Sequence, residues 1–118
     1  MALALILSGP DPVKQAEEVQ AAEGCDLAQA IYRYRGNYHR FPDDLSEVES
    51  QSPPPPLTWH DWFYSRRGEN FDVSKRLKRN RHLLIYSSDY WDGHLGWRVD
   101  YDDGENVIEL KDVCGVSR

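Results

Sequence analysis

A chain of 118 residues is one domain's worth of material, able to bury about two-thirds of the surface its unfolded form exposes. Its 40% hydrophobic and 12% aromatic content excludes intrinsic disorder, and no apolar run reaches the ~18 residues needed to cross a bilayer. The net charge of −6 is unevenly spread: nine acids against four bases over residues 1–52, three against seven over 53–82, and eight against three over 83–118. An acidic chain with one basic belt lacks the broad footprint that phosphate neutralisation requires, so nucleic acid is not an expected partner.

Residues 1–10 form an apolar segment, Met1 to Leu7, that stops at Ser8, Gly9 and Pro10. It lacks the leading positive charge and the length of an ordinary secretory signal. It reads as a short strand or frayed end, as the C-terminal remnant of a membrane stem, or as a degenerate signal peptide. Residues 11–118 read as a single domain.

Asp11 and Pro12 open the first long element, since Asp accepts from free helix amides and Pro is tolerated at the first helical position. The sequence predicts helix from Val13 to about Arg35, with Gly36 as the stop. Ala21, Gly24, Leu27, Ala28, Ile31, Tyr34 and Tyr38 follow one face at steps of three and four. Backwards, that face meets Gln20, Glu17, Ala16 and Val13, so the C-terminal half should pack and the N-terminal half stand clear of the core. Phe41 and Pro42 then form an aromatic turn, and residues 43–48 suit one or two helical turns. Four consecutive prolines, Pro53 to Pro56, forbid helix and read as a surface connector.

The remainder reads as β. Trp62 and Tyr64 alternate with Phe63 and Ser65, residues 66–70 turn, and Phe71 and Val73 alternate again as a hairpin. Leu83 to Ser87 leads through Asp92 and Gly93 to a strand in which Trp97, Val99 and Tyr101 share a face. Asp103 and Gly104 signal a tight turn, and Val107 to Leu110 pairs back. The expected fold is α+β: a long N-terminal helix packed on a small antiparallel sheet of three to five strands.

Three constellations carry chemistry. Asp89, Asp92, Asp100 and Asp102 crowd two sheet turns, and clustered carboxylates are what Ca²⁺ takes, although the spacing is not that of an EF-hand; ordinary turn chemistry is the alternative. Lys75, Arg76, Lys78, Arg79 and Arg81 form a basic run suited to a phosphate-bearing or acidic partner, or simply to a solvated loop between strands. Cys25 and Cys114 lack C-x-x-C spacing, and either form one bridge, as an oxidising compartment permits, or stand as two buried thiols. The four histidines sit in unrelated positions with no i, i+4 pair, and no triad order, P-loop or dinucleotide pattern occurs. A non-enzymatic protein is therefore expected.

The run Leu27 to Ile31 with Tyr34 and Gly36, followed by Phe41, Pro42, Leu45 and Val48, resembles the helix exit of type II secretion pseudopilins. The hairpin bearing Trp62, Tyr64, Gly68, Phe71 and Val73 is similar to that family's first strands. The resemblance covers about residues 20–110. It implies a pilin-like domain outside the cytoplasm, periplasmic or membrane-anchored, that works by protein–protein contacts in an envelope assembly. Membrane contact would come only through an N-terminal stem. The loop aspartates resemble the region where major pseudopilins bind calcium. Two other readings stay open on the residues alone: a small acidic binding or immunity-type protein that neutralises a basic partner, and a calcium-dependent binding module.

Overall fold

The computed structural model describes residues 12–50, 57–78, 81–91 and 94–114. The apolar segment 1–10, the Asp11 cap, the proline run and the turn through Asp92 and Gly93 lie outside the described residues, as does Arg79. Helix α1 (residues 12–38) opens as α-helix over Pro12–Val19, widens to a π turn over Gln20–Gly24 and returns to α-helix over Cys25–Tyr38. At 1.5 Å per residue it is about 40 Å long. No helix among the described residues is long and apolar enough to cross a membrane.

Two details of α1 depart from expectation. Gly36 does not stop the helix; the last turn winds on to Tyr38, and His39 takes the left-handed position at φ 61° with its N–H on the Arg35 carbonyl at 2.7 Å. Tyr34 and Tyr38 stack at 4.5 Å and hold that turn together. Nor does the N-terminal half stand clear of the core, because Ala16 and Gln20 are fully buried. The buried stripe keeps steps of three and four through the π turn, running Ala16, Gln20, Gly24 and then Leu27, Ala28, Ile31 and Tyr34, with Ala21 exposed.

After α1 comes helix α2 (Leu45–Glu49), capped by Asp44, whose carboxylate accepts from the Ser46 N–H at 2.9 Å. A 3₁₀ turn (Leu57–Asp61) leads into the sheet. Its strands are β1 (Phe63–Arg67), β2 (Asn70–Arg76), β3 (Leu83–Trp91), β4 (His94–Asp100) and β5 (Val107–Glu109). They form an antiparallel meander in the order β1-β2-β3-β4-β5, and the domain is α+β. Gly68, at φ 59°, is the first residue of the two-residue loop between Arg67 and Asn70, the position where a hairpin turn of this length needs glycine. The β4–β5 connection closes with the Tyr101 N–H on the Asn106 carbonyl at 2.8 Å.

One face of the sheet lies under α1. Phe71, Val73, Leu84, Tyr86, Trp97 and Val99 are buried there, and the register places Val73, Tyr86 and Trp97 in one row. Phe71 is ringed by Phe41, Tyr32, Tyr86 and Tyr64 at centroid distances of 4.8 to 5.9 Å. These rings pack α1 and the Phe41 turn against the sheet.

Candidate functional site

The junction of the π turn with the sheet concentrates polar chemistry inside an apolar layer. Glu23 projects from the turn toward β2, where its Oε1 accepts from Lys75 Nζ at 2.6 Å and from Trp62 Nε1 at 3.2 Å. Asp61 stands 3.8 Å from the same ammonium. Lys75 is thus not part of a solvated loop. β2 extends through it, its side chain follows Phe71 and Val73 onto the helix-facing side, and 6% of the residue stays exposed. Alternation along the strand turns Lys75 inward, and the Glu23 carboxylate satisfies it there.

One turn earlier, the buried Gln20 amide binds the end of the chain. In the orientation that satisfies its neighbours it donates to the Lys111 carbonyl at 3.3 Å. It accepts from the Val113 N–H at 3.2 Å and from Trp97 Nε1 at 3.3 Å. Cys25, adjacent in α1, is joined to Cys114, with Cα atoms 5.2 Å apart. The bridge reading of the two cysteines therefore holds. Gln20 and Cys25 of α1 thus hold Lys111, Val113 and Cys114 of the C-terminal segment in one joint.

A second polar cluster sits at the helix exit. Glu47 on α2 accepts from Tyr34 Oη and from Arg40 Nη2, each at 3.0 Å. The Arg40 hydrogen bond, with the Asp43 N–H, holds the Glu47 carboxyl down at about 2. Desolvation, then the hydrogen bond to Glu47, raises the Tyr34 hydroxyl. Tyr64 Oη donates to the Pro42 carbonyl at 2.6 Å, and Arg66 reaches Asp43 at 2.7 Å. Burial raises Tyr64. Together these bonds clamp the Phe41–Pro42 turn against β1.

The four aspartates do not share one site. Register pairs Leu83 with Asp100 and Trp91 with His94, so Asp89 and Asp100 lie toward opposite ends of the β3–β4 hairpin, about 20 Å apart at strand spacing. Asp89 is held by Arg67 Nη2 at 2.6 Å, while Arg67 Nε meets Asp72 at 2.6 Å. The hydrogen bonds that Arg67 donates to Asp72 and then to Asp89 raise its guanidinium. Asp100 lies 3.3 Å from Arg98, and Asp102 lies 3.8 Å from Arg76. Asp92 is outside the described residues, and among the described residues no group of three potential ligands could hold a metal ion.

Of the basic run, Lys78 and Arg81 are exposed in the β2–β3 loop, and Arg76 Nη1 donates to the Arg81 carbonyl at 2.8 Å. The acidic β4–β5 turn lies directly beside this loop. His82 Nδ1 accepts from the Asp102 N–H at 2.9 Å, and its ring stacks on Tyr101 at 4.2 Å. Some of the basic belt is therefore answered by the chain's own carboxylates. The Glu23–Lys75 pair and the Gln20 joint are the features that sequence reasoning missed; a lone acid at an otherwise small-residue helix turn is the only local signal of either. Comparison with protein-family models, with curated proteins and with solved structures finds no match to this chain.

Proposed function

We propose that this is a non-enzymatic protein of the cell envelope whose pilin-like domain acts through protein–protein contacts in a secretion or pilus-type assembly. One observation carries the reading: a single N-terminal helix lies on an antiparallel meander and leaves through an aromatic–proline turn fastened to the first strand by Tyr64 and Pro42. That arrangement is built by the same residues whose pattern resembles the pseudopilin helix exit. The Cys25–Cys114 bridge fits a domain outside the cytoplasm, where such bonds persist. In this reading the exposed faces of α1 and of the sheet supply the surfaces for those contacts.

Fractionation of the cells that produce the protein, with photo-crosslinking from the exposed Tyr38 position, tests it. The expected result is an envelope location with crosslinks to proteins that carry a pilin-like helix. A cytoplasmic protein with crosslinks only to cytoplasmic partners would overturn it.

A further inference from the structure

We infer that strand β1 is a self-association edge, at which a second copy of the chain adds its own β1 in antiparallel register about a two-fold axis centred on Ser65. Among the described residues, β1 is the terminal strand of the five-stranded sheet. The two-residue hairpin pairs Arg67 with Asn70, so Phe63, Ser65 and Arg67 turn their backbone groups toward β2. Tyr64 and Arg66 consequently turn theirs away from the sheet. The opposite phase on β2 agrees, since the Phe71 N–H faces β3 and reaches Ser88 Oγ at 2.8 Å.

The strand sequence is complementary to itself in that register. Tyr64 of one copy pairs with Arg66 of the other and the reverse, giving four backbone hydrogen bonds. Ser65 meets Ser65, and Phe63 meets Arg67, on the face turned away from α1. Phe63 is 75% exposed, the most exposed large apolar side chain among the described residues. Its counterpart Arg67 is already fixed, with Nε 2.6 Å from Asp72 and Nη2 2.6 Å from Asp89, so its guanidinium plane is a rigid platform for an aromatic ring. No like charges oppose each other. A register centred one residue later would set Arg66 against Arg66, which disfavours it against the Ser65-centred pairing.

Sedimentation from about 10 μM to about 1 mM, the range of weak interfaces, should show a reversible dimer. Phe63→Lys places a cation against Arg67 and should weaken the dimer at least tenfold, with melting unchanged because the side chain is exposed. Both native cysteines are bridged, so Ser65→Cys adds a single free thiol. Mild oxidation should then give a covalent dimer, whereas Ser74→Cys on β2 should not. A chain that stays monomeric to about 1 mM overturns the inference. So does a dimer indifferent to Phe63→Lys, or one that Ser65→Cys fails to trap; such a dimer uses another surface.

Discussion

The Trp97 indole occupies the space that a side chain at Gly24 would fill. A Cβ built on Gly24 would lie 2.5 Å from Trp97 Cη2 and 3.2 Å from Trp62 Cη2. The two indoles meet edge to face at 6.1 Å, so neither ring can withdraw without disturbing the other. Glycine in mid-helix ordinarily costs stability relative to alanine; here it is what allows α1 to approach the sheet. Gly24→Ala should therefore lose about 1–3 kcal/mol by overpacking. Gly36 is the internal control, since a Cβ there meets nothing within 4 Å. Gly36→Ala should gain about 0.5–1 kcal/mol. Denaturant titrations of the two variants check the opposite signs.

Glu23 and Lys75 form the one ion pair between α1 and the sheet among the described residues, with side chains 18% and 8% exposed. Removing one partner leaves the other charge in the apolar layer. Glu23→Gln or Lys75→Met alone should cost about 3 kcal/mol. The double variant should recover much of that loss, because an uncharged pair has no desolvation to offset. A double-mutant cycle by chemical denaturation reads the coupling directly, and additive losses would show that the pair does not act as a unit.

How far the fold can be read from sequence differs along α1 itself. Across Cys25–Tyr38 the 3.6-residue period is intact, and Leu27, Ala28, Ile31 and Tyr34 are where that period puts them. Between Ala16 and Gly24 the buried positions still step by four, but the stripe carries Gln20 where an apolar side chain would be expected, and no local pattern announces its burial. Gln20 reads as a solvated residue because its partners, residues 111 and 113 and Trp97, come from the far end of the chain. The same limit governs the charged clusters. Lys75 belongs to a dense basic run, yet pairing with Leu84 keeps it in β2 and turns it inward. The aspartates are neighbours in sequence order, whereas hairpin register sends Asp89 and Asp100 toward opposite ends. Hairpins, turns and the helix core were legible because local periodicity decides them; the polar joints are made by tertiary register.

Acid should attack the helix exit. Glu47 titrates at about 2 in the folded protein, below its ordinary 4.5, chiefly because Arg40 and the Asp43 N–H bind its ionised form. A depressed folded value means the stabilisation is fully present above about 4.5 and is lost as the pH falls through about 2. Asp103, lowered by the backbone amides of Asn106 and Glu105, acts in the same direction. Stability measured at a series of pH values should decline across that window. Glu47→Gln should flatten the decline and leave the neutral-pH fold intact. An unchanged slope would show that other carboxylates carry the acid sensitivity.

The last prediction concerns the bridge that ties the two ends of the described chain together. Cys25 sits in α1 immediately after the π turn, and Cys114 follows β5 beyond the reach of the sheet ladder; the two are 89 residues apart in sequence. Segment 110–114 has few other tethers: the Leu110 N–H on the Trp97 carbonyl at 2.9 Å, the Gln20 amide, and the Cys114 N–H on Asp112 at 2.9 Å. A loop of this length restricts the unfolded chain by about 4–5 kcal/mol on the loop-entropy account. Cys114→Ser should therefore lower the melting temperature by roughly 10–20 °C. Cys25→Ser should match it, and the double variant should add nothing further, since either change opens the same loop. Loss should also be local: without the bridge, hydrogen exchange at Val113, whose amide binds Gln20, should rise before exchange in β3 does. Unreduced protein from its native compartment should take up no thiol-alkylating reagent. Two labelled cysteines per chain would show that the bond does not form there, and the hydrogen bonds to Gln20 and Trp97 would then have to hold the C-terminal segment.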